Sequence, residues 1–196
     1  MHDLINNNIK VFKERFLDAC SKSSRQASEI SIIAVSKKKE SSIIRQVFAD
    51  GFKNFGENFA QELAQKSEDL KDLNIVWHFI GPIQSNKVNL VASSADWVHS
   101  IDRKKIISKL DNACKKNNKV MNVCIQINID NEDTKSGIHP DNLLEFSAFI
   151  KEHANLKLRG MMVLPKLSDD LAHNEKVMRK CSVSYTHLTL PTILLV

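Results

Sequence analysis

Short β-branched runs alternate with segments of helical apolar spacing along most of the chain, and this alternation limits the possible folds more than any other feature. The runs ISIIAV (30–35), FKNFG (52–56), IVWHFI (75–80), DWVHSI (96–101), VMNVCIQIN (120–128) and LKLRGMMVL (156–164) read as six strands. Helices are predicted between them. Residues 40–50 place Ile43, Ile44, Val47 and Phe48 on one face and close at Gly51. Further helices follow near 57–70, 85–93, 102–117 (on Ile106, Ile107, Leu110 and Cys114) and 141–152. A leading helix over 4–20 carries Ile5, Ile9, Phe12, Phe16 and Cys20 on one stripe. Strict alternation implies parallel strands joined by helical crossovers. An open doubly wound sheet and a (β/α)8 barrel both satisfy it. No GxGxxG turn favours the open sheet. Polar residues gather where strands end, at Lys37, Asn58, His78 to Gln84, Asp102, Arg103 and Asn128. In a barrel that rim is the functional face. The expected class is therefore α/β, a TIM (β/α)8 barrel. Six strands fall short of eight, so the barrel is expected to be incomplete.

The 196 residues suit one domain. Hydrophobic residues make up 42% and charged residues 26%, as in a folded soluble protein. The net charge of +5 is spread along the chain, without an arginine-rich arm or aromatic–basic interleaving, so no nucleic-acid partner is expected. No cationic-then-apolar leader and no run of about 18 apolar residues is present, which predicts no membrane partner and a cytoplasmic location. Cys20, Cys114, Cys124 and Cys181 lack CxxC spacing and read as reduced, packed thiols. The seven histidines show no HExxH pattern, so no metal site is predicted. Residues 181–196 (CSVSYTHLTLPTILLV) hold no Asp, Glu, Lys or Arg. A barrel domain over 1–180 and an anomalous tail outside the fold are expected, as from a truncated coding region joined to unrelated or misframed sequence. The alternative is a genuine apolar C-terminus that pairs with something.

Five stretches could carry chemistry. Lys37 follows the first strand; at a barrel mouth it could lie partly desolvated and act as a nucleophile toward aldehydes. Local pattern alone favours a solvated loop. In FGEN (55–58), Asn58 could bind a ligand oxygen or cap a helix, and the cap is the simpler reading. WHFIGPIQSNK (77–87) runs a Trp–His pair into Gly81 and four polar residues; His78 fits either a site or a packed core position. QINIDNEDTKSGIHP (126–140) leads from Gln126 and Asn128 into a polar loop, functional or merely solvated. RGMMVLP (159–165) places Gly160 inside a strand, with Met161 and Met162 most simply core.

AVSK (34–37), FGEN (55–58), WHFIGPIQSNK (77–87), HSIDR (99–103), QINIDNEDTKSGI (126–138) and RGMM (159–162) occur in this order. The series, over roughly residues 5 to 175, resembles the pyridoxal phosphate homeostasis proteins. The resemblance implies a barrel of the alanine-racemase-like type that binds pyridoxal 5′-phosphate. By its place in AVSK, Lys37 matches the lysine that forms the internal aldimine, and Lys38 stands where a Thr is common. Asn58, His78 and Met161 match positions lining or supporting the cofactor pocket. The resemblance implies a protein that holds the cofactor and delivers it in vitamin B6 homeostasis, with apo-enzymes that need it as partners, without established catalysis. Its members carry Ser-Met-Gly-Met-Ser-type and Arg-Ile-Gly-Thr-type phosphate segments that this chain lacks, which implies weak cofactor binding and poor solubility.

The alternative is a racemase-like enzyme dependent on the same cofactor. Two-base racemisation on this fold pairs the lysine with a tyrosine. The one tyrosine, Tyr185, lies in the tail, so no catalytic residue is assigned. A nucleic-acid binder using Lys37 to Lys39 ranks last.

Overall fold

The computed structural model describes residues 2–130, 135–165 and 169–186. Residues 1–32 and 33–196 form two compact units. The first holds helix α1 (His2–Lys22) and a 3-10 turn at Ala27–Glu29. Its predicted stripe is found in part: Ile5, Ile9 and Phe16 are half-buried and Cys20 is buried, but Phe12 is exposed.

The second unit alternates β1 (Ile33–Val35), α2 (Ser41–Ala49), β2 (Asn54–Glu57), α3 (Ala60–Asp69), β3 (Val76–Phe79), α4 (Val88–Ser94), β4 (Trp97–Ile101), α5 (Lys104–Lys116), β5 (Met121–Ile127), α6 (Leu143–Lys151), β6 (Leu156–Val163) and α7 (Leu171–Thr186). All six strands are parallel, in the order β1-β2-β3-β4-β5-β6. A doubly wound sheet reverses its order at a switch point, and this one never does. Sequential order is barrel topology. The sheet is nevertheless open, because no described strand pairs with the outer edges of β1 and β6.

Burial sorts the two sheet faces. Phe55, Trp77, Phe79, Val98, Val123, Ile125 and Leu158 pack with Ile44, Leu63, Val91, Ile107, Leu110 and Ile150 in one core between sheet and helices. Each such side chain stabilises the fold by about 1.5–3 kcal/mol relative to exposure. Helix α2 closes as predicted at Gly51, whose φ of 98° lies in the left-handed region that glycine enters freely.

Three features depart from the sequence reading. Strand β1 has three residues rather than six, because its ladder with β2 runs only from Ile33 to Val35. A bulge interrupts the β5–β6 pairing: Val123 faces Leu158 but Cys124 faces Gly160, so Arg159 is an extra residue. Composition suggested a boundary at 180/181, yet α7 runs through it to Thr186. Cys181 and Tyr185 are buried in the core. The rest of the expected tail, 187–196, lies outside the described residues. No helix among them is long and apolar enough to cross a membrane.

Candidate functional site

A cavity of about 320 Å³ opens at the C-terminal ends of the strands. Its wall takes Asn58 from the end of β2, Ile80, Gly81 and Pro82 from beyond β3, Gln126 to Asn128 from β5, and Leu164 from beyond β6. Lys135 and Ser136 complete it. Glycine is required at two of these joints. A Cβ on Gly81 would lie 2.1 Å from the Asn58 carbonyl oxygen. Gly137 has φ 123°, and a Cβ there would lie 2.7 Å from the Asn128 nitrogen. The close approach folds the 135–138 loop onto β5. Asn128 N–H donates to Ile138 O at 3.0 Å, Ile138 N–H to Gln126 O at 2.9 Å, and Gln126 Nε2 to Ser136 O at 3.2 Å.

Lys37 stands on the same rim, just past β1, but does not line this cavity. The run of lysines is a tight turn. Lys39 N–H donates to Ser36 O at 3.0 Å, which puts Lys37 at the first corner and Lys38 at the second. Lys38 has φ 60°, the left-handed value a type II turn needs at its second corner. Lys37 is exposed, so the partial desolvation expected of it is not found. Its amine makes no hydrogen bond or ion pair among the described residues.

Beneath that turn lies a buried charge network. Glu57 is fully buried and Lys66 is 5% exposed. Lys66 Nζ donates to Ser36 O, Glu57 Oε1 and Glu62 Oε1, each at 2.7 Å, which uses all three ammonium protons. Glu57 Oε1 also accepts from Ser36 Oγ at 2.6 Å. Glu62 Oε1 accepts from the Lys38 amide at 2.6 Å. Burial raises the Glu57 carboxyl above its ordinary range, against the opposing hydrogen bonds of Lys66 and Ser36. Desolvation alone would raise Glu62 too, but hydrogen bonds from Lys66 and the Lys38 amide bring it below that range. Glu57 Oε2 is buried without a partner.

His78 shares a face with Ile80 by strand alternation, one repeat deeper than the cavity wall. Both of its ring nitrogens are engaged: Nε2 with Asn54 Oδ1 at 3.0 Å and Nδ1 with His99 Nε2 at 2.9 Å. With the Asn54 oxygen accepting, His78 carries its proton on Nε2 and accepts at Nδ1 from His99. Trp97 stacks on both rings, at 5.6 and 5.8 Å, and the Arg159 guanidinium lies 5.6 Å over Trp97. Burial holds His78 down at about 3, with His99 adding to the effect, and His99 at about 4. Both rings are neutral at physiological pH, as the bond chain requires.

Of the four expected site residues, Asn58 alone lines the cavity, Lys37 shares its rim, and His78 sits under the wall. Met161 pairs in register with Ile125 and packs in the core between sheet and helices. The physical reason is the bulge at Arg159, which shifts the alternation and sets Met162 beside Gln126 instead. Site reasoning missed the partners Glu57, Glu62 and Lys66. One signal was available: Ala60, Leu63, Lys66 and Leu70 fall at helical spacing, so a lysine occupies the apolar stripe of α3.

Residues 8–188 match the family model for the alanine racemase N-terminal domain. The chain is 38% identical over 178 residues to the pyridoxal phosphate homeostasis protein of Haemophilus influenzae, covering 90% of this chain and 75% of that one. It is 37% identical over 191 residues to the protein of that name in Escherichia coli K12, covering 96% and 81%. The solved structure of PipY from Synechococcus elongatus with PLP bound superposes with a TM-score of 0.76 at 27% identity, covering 88% and 81%.

Proposed function

This chain belongs to the pyridoxal phosphate homeostasis protein family, and we propose that it holds pyridoxal 5′-phosphate with Lys37 as the covalent attachment point and serves vitamin B6 homeostasis. The carrying observation is the placement of Lys37 at the corner of a fixed turn, on the rim that also carries a cavity walled by both polar and apolar side chains. The residues fit the group. Asn58, Gln126, Asn128, Ser136 and Lys135 offer donors and acceptors to a polar, anionic ligand. The glycine joints at 81 and 137 allow close backbone approach. The bound cofactor supplies an aldehyde for an amine to capture and a phosphate for donors to hold. Lys37 provides the amine, with no competing ion pair among the described residues. Asn58 orients the ligand from the wall. His78 is a neutral support beneath it, and Met161 backs β6 from the core side.

In this reading the protein carries the cofactor and passes it to apo-enzymes rather than turning over a substrate. Two-base racemisation is not proposed, because the one tyrosine, Tyr185, is buried in the core cluster. The test is absorption spectroscopy after incubation with the cofactor. With the cofactor in excess the chain is expected to gain a visible band, and Lys37→Ala to lose it. A covalent band retained by Lys37→Ala would sink the assignment.

A further inference from the structure

Lys66 and its two glutamates are not explained by stability alone. Replacing a buried ion cluster with well-packed apolar side chains is often neutral or stabilising. Stability also does not account for an unpartnered carboxylate oxygen at a fully buried glutamate. The direction of the bonds is more informative. They do not join two remote elements at random; they converge on the residues either side of Lys37. Before it, Ser36 is held at three points. Its N–H donates to Gly56 O at 2.9 Å, its Oγ to Glu57 at 2.6 Å, and its carbonyl accepts from Lys66 at 2.7 Å. After it, the Lys38 amide is held by Glu62 at 2.6 Å. Lys38 needs that restraint, because a non-glycine residue at φ 60° is strained. Lys66 bonds both glutamates, so the two clamps are one unit. The Lys37 backbone is thus fixed on both sides, while Lys37 itself stays exposed.

We infer that Glu57, Lys66 and Glu62 are positioning residues that aim the Lys37 amine by clamping the turn that carries it. This rests on the reading of Lys37 as the attachment point. Glu62 is the member to vary, since its side chain is 24% exposed and its loss leaves the Glu57–Lys66 pair intact. Glu62→Ala removes the acceptor for the Lys38 amide, whereas Glu62→Gln keeps an acceptor oxygen and discards only the charge.

Each protein is incubated with pyridoxal 5′-phosphate and reduced with borohydride. The labelled lysines are then located by peptide mapping, with thermal unfolding recorded in parallel. In the unaltered chain the label is expected chiefly on Lys37. Glu62→Ala should lower the ratio of Lys37 label to Lys38 plus Lys39 label at least fivefold, with its unfolding midpoint little changed, and Glu62→Gln should keep most of the ratio. Without cofactor, the Lys38 amide should exchange with solvent faster in Glu62→Ala. Label on Lys37 to the same extent in the unaltered chain and in Glu62→Ala overturns the positioning role and leaves the attachment point standing. Label spread away from Lys37 in the unaltered chain overturns the attachment point, and the positioning role falls with it.

Discussion

A lysine ammonium that is 5% exposed survives only with every proton bonded, and Lys66 meets that condition. Lys66→Met keeps the chain length and removes the charge. It leaves the Glu57 carboxylate buried without its cation, so the expected loss is about 3–5 kcal/mol, read as a lower urea midpoint. Adding Glu57→Gln should recover much of the loss, because a neutral pair has no uncompensated charge; a double variant no more stable than the single one would contradict this. Residue roles were only partly legible in the sequence. Lys37 emerged from a series of ordered motifs, because its neighbours Lys38 and Lys39 look the same locally. The difference among the three is the turn, and the turn depends on Glu57, Glu62 and Lys66, 20 to 29 residues away in sequence. By local pattern Met161 and Met162 both read as core, and only the bulge at Arg159 sets them on different faces.

At the scale of elements, periodicity identified all six strands and the helices between them, within a few residues at each end. It could not show that the β1 ladder stops after three residues, since pairing length depends on β2. Nor did composition foresee α7, where Val177, Cys181 and Tyr185 are buried along one helix. The joints between elements carry the site, and the tightest is the crossing of Gly81 with Asn58. A methyl group at Gly81 would meet the carbonyl oxygen at 2.1 Å and the Asn58 carbonyl carbon and Cα at 2.7 Å. These are backbone atoms, which cannot swing aside as a side chain would. Ser100 Oγ also holds the Gly81 carbonyl, which limits relaxation from the other direction. Gly81→Ala should therefore destabilise by about 1–3 kcal/mol and push Asn58 out of the cavity wall. Chemical denaturation measures the first effect and cofactor titration the second. Affinity equal to that of the unaltered chain would remove Asn58 from the binding wall.

Across the second unit, sequential parallel order and one continuous helix-side core make unfolding a property of the sheet as a unit, and two of its buried titrating groups, His78 and His99, lie on the other face. His78 and His99 are 4% and 3% exposed and are bonded to one another. Their folded values, about 3 and about 4, lie below the unfolded value of 6.5. The unfolded chain therefore binds more protons between those limits, and stability must fall with pH there. The contribution is complete above about pH 6.5 and drains away as acid approaches the folded values. By pH 5 the loss amounts to about 2 kcal/mol for each histidine. Glutamates and aspartates add their own acid dependence, mostly lower on the scale, so the pair is best read by difference. His99→Gln keeps a polar side chain beside His78 but cannot take up a proton. Its unfolding free energy should drop less between pH 7 and pH 5 than that of the unaltered chain, by about 2 kcal/mol. The measurement is a pair of urea titrations at each pH. Parallel losses in the two proteins would mean that His99 is protonated as readily folded as unfolded, and that the neutral chain from Asn54 through His78 to His99 does not hold in solution.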